Sequence, residues 1–188
     1  ALGLRWLANH QDPDGKWSGV QFTDLDIGKA EGERPDFKPS VSTLDGGLSG
    51  LALLSFLAAN HTPKNPESIF GPVVERALEW YEAQQLNDGS FQEPGKVPHS
   101  GFNYFHYELG ISALALSEAY ALTREERLRR AAQKSLDKIF SNQTPGEGCR
   151  YTVRHQTDLS VVGWMTMALK SGALAGLEVD PRCRHGPR

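Results

Sequence analysis

Trp6-Leu7-Ala8-Asn9-His10-Gln11-Asp12-Pro13-Asp14-Gly15-Lys16-Trp17 returns 74 residues later as Trp80-Tyr81-Glu82-Ala83-Gln84-Gln85-Leu86-Asn87-Asp88-Gly89-Ser90-Phe91. Gln, Asp, Gly and the closing aromatic keep register. A weaker third copy, Ile139-(x)3-Gln143-Thr144-Pro145-Gly146-Glu147-Gly148-Cys149, follows 58 residues on, with Cys149 in place of the aromatic. Self-similarity at such spacing marks a repeat architecture.

Each copy closes an amphipathic helix. Before the second copy, Val73, Val74, Ala77, Leu78 and Tyr81 fall at helical spacing, and Pro72 suits a first helical position. Before the third, Thr123 and Glu126 form a capping-box pattern, followed by Leu128, Ala131, Ala132, Ser135, Leu136, Ile139 and Phe140. The first helix is under way at Ala1. After each motif comes a helix richer in small residues, near Gly46–Ala59, Tyr107–Leu122 and Leu159–Gly176. Gly47, Gly110 and Gly163 each stand five residues before Ala52, Ala115 and Ala168. Glycine inside a helix costs about 1 kcal/mol relative to alanine, so three in register imply close helix approach. The chain therefore reads as all-α: three hairpins, about six helices, in one repeat domain over 1–179 with a tail at 180–188. Hairpins of this size bury their apolar faces only by stacking on neighbours.

The motif residues have structural chemistry. Gln11, Gln85 and Gln143 fall at helix C-termini, where an amide can donate to unpaired carbonyls. Asp14-Gly15 and Asp88-Gly89 are turn formers, since Gly accepts positive φ and Asp bonds its own backbone. Trp17 and Phe91 fold back as apolar plugs. The motif is a clamp rather than a catalytic site.

Bulk properties exclude several classes. Net charge is -3 over 188 residues, so the basic footprint of nucleic-acid binding is missing. No apolar run reaches the roughly 18 residues of a membrane span. No basic n-region with an apolar run opens the chain, which favours a cytoplasmic over an exported protein. Ala1 without a preceding Met reads as a trimmed N-terminus. Two cysteines make no disulfide framework, and Cys183-Arg184-His185 is too small for a metal site. No cofactor or metal is expected.

Gln-x-x-Asp-Gly-x-Trp/Phe after a helix resembles the QW repeat of squalene–hopene and oxidosqualene cyclases, whose α/α toroid is shared by protein prenyltransferase β-subunits. Residues 106–179 resemble bacterial prenyltransferase/squalene oxidase repeat proteins more closely still. The carrying residues are His106, Glu118-Ala119-Tyr120, Ala132-Gln133-Lys134, Arg150-Tyr151 and Asp158-Leu159-Ser160-Val161-Val162-Gly163-Trp164 running into Met167-Ala168-Leu169-Lys170-Ser171. The resemblance implies an α/α toroid in which the small-residue helices are inner and their N-termini ring a cavity. A ring of this type takes roughly twelve helices, so the chain makes a partial ring, completed by self-association or by a missing remainder. Helix N-termini favour anions. Ligand-binding candidates at that rim are Asp45, His99, Tyr104, His106, Tyr107, Arg150, Arg154, His155 and Asp158, with Asp158 and His106 as candidate catalytic groups. Each also has a plainer role: Asp158 as an N-cap, His106 and Tyr107 as packing groups, Arg154 and His155 as solvated loop residues, and Trp164, Met165 and Met167 as core filling.

The catalytic signatures of the family are absent. Asp24-Leu25-Asp26-Ile27 lacks the last acid of Asp-x-Asp-Asp. Asp158-Leu159-Ser160 stands where the zinc-binding Asp-x-Cys of prenyltransferases belongs, without the thiolate. Three functions follow as expectations. The first is a non-catalytic binding or structural repeat domain, taking a peptide, lipid or glycan in a concave face, or an apolar or isoprenoid-like small molecule. The second is part of a terpene cyclase-like enzyme whose acid lies outside the chain. The third is an α/α carbohydrate lyase or hydrolase using Tyr104, His106, Tyr107, Arg150 and His155.

Overall fold

The computed structural model describes residues 2–19, 44–91, 105–142 and 159–180. Among them run six helices and no strand: α1 (Leu2–Asn9), α2 (Asp45–Ala58), α3 (Gly71–Gln84), α4 (Phe105–Thr123), α5 (Glu126–Ser141) and α6 (Leu159–Ala175). The third motif copy from Gln143 to Cys149 lies outside the described residues, as does most of the loop after Trp17.

The helices form two layers. The small-residue helices α2, α4 and α6 pack side by side, α4 between the other two. On their backs lie α3, against α2, and α5, against α4 and α6. α4 is consequently buried almost all round, with Leu109, Ala113, Ala115, Leu116 and Ala119 in the core. The amphipathic helices bury one face each. Val74, Ala77, Leu78 and Tyr81 do so on α3, and Leu128, Ala132, Leu136 and Ile139 on α5, as their 3.6-residue spacing requires.

The clamp exists, but its glutamine reaches further than its own helix. Gln11 Nε2 donates to the Gly15 carbonyl at 2.8 Å and to the Val73 carbonyl of α3 at 2.9 Å. Gln85 Nε2 donates to the Ala131 carbonyl of α5 at 2.8 Å and to Ser135 Oγ at 3.0 Å. Both glutamines thus grip the next amphipathic helix at the same register, Val73 and Ala131 being 58 residues apart. The expected bond to the glutamine's own helix end is not made. Gly15 and Gly89 take φ of +102° and +88°, the left-handed region open to glycine. Each lies on the facing backbone, Arg76 for Gly15 and Lys134 for Gly89. Asp14 and Asp88 accept from the N–H two residues on, as turn chemistry predicts. Trp17 is buried against Phe56, its indole N–H donating to the Leu7 carbonyl. Phe91 packs edge-on to Tyr81.

The capping box expected at Thr123 is not formed. Thr123 ends α4, its hydroxyl donating to the Ala119 carbonyl, and Glu125 precedes α5 without a side-chain cap bond. Charge does the joining here. Arg127 of α5 pairs with both oxygens of Glu75 and with Glu82 on α3, and with Glu125, at 2.7–2.8 Å. Removing the cation would leave three carboxylates facing one another. Arg127→Met is expected to cost about 1–2 kcal/mol in urea unfolding, since a bidentate network exceeds an isolated surface pair. The loss should shrink at high salt, because these side chains are partly exposed. A variant as stable as the parent at low salt would show that the network contributes nothing.

Candidate functional site

The N-terminal ends of α2, α4 and α6 are the region to which the sequence assigned its binding residues. Of these, Asp45, His106 and Tyr107 are described; His99, Tyr104, Arg150, Arg154, His155 and Asp158 lie outside the described residues. Asp45 opens α2, where a carboxylate suits the positive end of the helix. Its Oδ1 accepts the Gly19 N–H at 3.1 Å and its Oδ2 lies 3.5 Å from Lys16 Nζ. Asp45 therefore ties the end of the first motif to α2. His106 is buried in the first turn of α4, edge-on to Phe105. Tyr107 bonds across to Ser160 of α6 through their hydroxyl groups.

The sequence reading missed Glu108. Its carboxyl is buried between α4 and α2, where Oε1 accepts the Gly46 N–H at 2.9 Å. Oε2 is enclosed and without a hydrogen-bond partner. Burial, together with the nearby Asp45 charge and despite the Gly46 bond, raises its pKa to about 7. The carbonyl of the same residue is held too: Tyr81, wholly buried on α3, donates its hydroxyl to the Gly46 carbonyl. A methyl group at Gly46 would lie 2.4 Å from Glu108 Oε1, so glycine is required for this approach. One signal was available: Glu108 occupies on α4 the register position that Asp45 occupies on α2, counted from Gly110 and Gly47. On α6 that position is the buried Val161.

The motif carboxylates are committed elsewhere. Asp88 accepts from Ser90 and pairs with Lys138 at 2.8 Å; burial opposes its charge, but these partners prevail and hold its pKa at about 2. Asp12 is buried and its pKa is raised by burial and by Asp14.

The three small-residue helices also share an open face, turned away from α3 and α5. Counting from the matched glycines, Leu51, Leu114 and Met167 are equivalent, as are Tyr107 and Ser160, and Glu118 and Ser171. Leu51 and Met167 are about half exposed, and Leu114 is half-buried. Ser171 donates to Glu118 at 2.6 Å, so equivalent positions of α4 and α6 pair at both ends of the face. Met167 thus lies on the surface, whereas Met165 fills the core as expected.

A separate concavity of about 550 Å³ opens beside α5 and α6, lined by Leu136, Phe140, Leu169 and Leu177 with Asp137 and Glu178. It includes none of the rim residues. Among the described residues no group of three or more His, Cys, Asp or Glu side chains could hold a metal ion, and no helix is long and apolar enough to cross a membrane. No protein-family model, curated protein or solved structure matches the chain.

Proposed function

We propose that the chain is a hairpin-repeat domain of the α/α-toroid type it resembles, and that it serves as a binding scaffold. The open face of α2, α4 and α6 takes an apolar, isoprenoid-like molecule. The observation that carries this reading is the row Leu51, Leu114 and Met167, bordered by the Tyr107–Ser160 and Glu118–Ser171 pairs. An apolar strip with polar groups at its edges suits a chain-like hydrocarbon with one polar end. The buried Glu108 supports scaffolding over catalysis, because its carboxyl is enclosed between two helices rather than presented at a surface.

The chain has two methionines, one buried and one on the proposed face, which makes methyl NMR a direct test. Titration of the ¹³C-methyl-methionine protein with farnesol is expected to shift the Met167 signal and leave Met165 nearly unmoved. Leu114→Asp should abolish the shift while keeping the helical circular dichroism. Farnesol without effect on Met167 overturns the proposal. Cyclised products from squalene would favour a cyclase-like enzyme instead, and binding of galacturonate without farnesol would favour the carbohydrate reading.

A further inference from the structure

Two joints hold the small-residue layer together, and in each the residue after the matched glycine of one helix lies against a glycine of the helix before it. Ile111 of α4 sits on α2, its Cγ2 2.8 Å from where a methyl at Gly50 would lie and its Cδ1 3.8 Å from one at Gly47. Trp164 of α6 sits on α4, its Cβ 3.1 Å from where a methyl at Gly110 would lie. Counted from Gly47, Gly110 and Gly163, the projecting residues Leu48, Ile111 and Trp164 are equivalent. Each helix therefore offers a side chain to the glycines of the one before it.

Among the described residues, both halves of this joint recur at the ends of the layer without a partner. Leu48 projects from α2 and is 38% exposed, where Ile111 is 7% exposed. Gly163 on α6 has none of the described residues within 4 Å of a methyl placed there, where Gly110 is filled. The other layer repeats the contrast: Trp6 is 48% exposed, but Trp80, at the same motif position, is 9% exposed. A glycine alone would carry no meaning; here its complementary side chain waits at the opposite end of the same chain.

We propose that the chain associates with itself head to tail, Leu48 of one copy seating on Gly163 of the next. This continues the joint that Trp164 makes on Gly110 and that Ile111 makes on Gly50 and, more loosely, Gly47, and it stands independently of the ligand reading. Because projection and recess lie on opposite ends, the contact is heterologous and generates rings or open stacks rather than a closed two-fold pair.

The test is light scattering coupled to size exclusion, over a wide concentration range. The parent mass is expected to rise above that of one chain. Leu48→Asp and Gly163→Leu should each remain monomeric alone. Gly163→Leu should also unfold no earlier than the parent, since its site is open and leucine favours helix over glycine. Mixed in equal amounts, the two variants should form a one-to-one dimer of twice the chain mass and nothing larger, because each keeps one intact half. Should Leu48→Asp lose its helical circular dichroism, Leu48→Ser replaces it. A parent monomeric at every concentration, a Gly163→Leu protein that still assembles, or a mixture that stays monomeric overturns the proposal.

Discussion

Gly89→Ala is expected to lower the melting temperature by about 10 °C. Two costs combine. The backbone at Gly89 has φ of +88°, where a Cβ costs roughly 1–2 kcal/mol. That Cβ would also lie 2.2 Å from the Lys134 carbonyl oxygen and 2.4 Å from its carbon. These are helix backbone atoms, and no rotamer change moves them aside. The motif must lift from α5, stretching the Gln85 bonds to Ala131 and Ser135 and the Ser135 bond to the Gly89 carbonyl. Together the loss is about 4 kcal/mol, at roughly 2–4 °C per kcal/mol for a chain of this size. Gly176→Ala is the control: its φ is +87°, with nothing within 4 Å of the added methyl. It carries the conformational cost alone. Thermal circular dichroism of both variants decides the matter, and equal losses would refute the clamp.

The second large effect is a pH dependence centred on Glu108. In the unfolded chain its carboxyl has the ordinary value of 4.5; folded, burial and Asp45 raise it to about 7. The folded state therefore prefers the protonated form. The stability this contributes is fully present below pH 4.5 and is lost as pH rises through about 7. A difference of that size corresponds to about 3 kcal/mol. Asp88 acts with the opposite sign, its stabilisation present above its ordinary value of 3.8 and lost as pH falls toward about 2. Asp12, also raised, adds to the Glu108 trend. Urea unfolding at pH 5 and pH 8 should show the parent weaker at pH 8. Glu108→Gln, which keeps an acceptor for the Gly46 N–H and has no charge to bury, should lose most of that difference. Equal slopes in the two proteins would remove Glu108 as the cause.

Glu108 and Gln85 show where reading a sequence stops. A lone glutamate in the first turn of an apolar helix looks like an ordinary dipole partner, as Asp45 does. What separates them is the neighbour: α2 lies over Glu108, whereas Asp45 meets the first motif's own loop at Gly19 and Lys16. Likewise the glutamine's amide is a donor by composition, but whether it bonds its own helix or the next depends on a carbonyl 62 residues away for Gln11 and 46 for Gln85. Thr123 failed as a cap because α4 runs through it.

Apolar spacing and turn chemistry in the sequence suffice for the six helices and the turn glycines; the expected pairing of α3 with α4 is not among the main helix contacts, where α4 packs on α2, α5 and α6. Which helix each clamp holds, the enclosure and shift of Glu108, and the contrast between the exposed Leu48 and the buried Ile111 come from the packing of remote segments. Those depend on distances between segments remote in the chain, and desolvation and close contact are properties of what lies opposite a residue rather than of the residue itself.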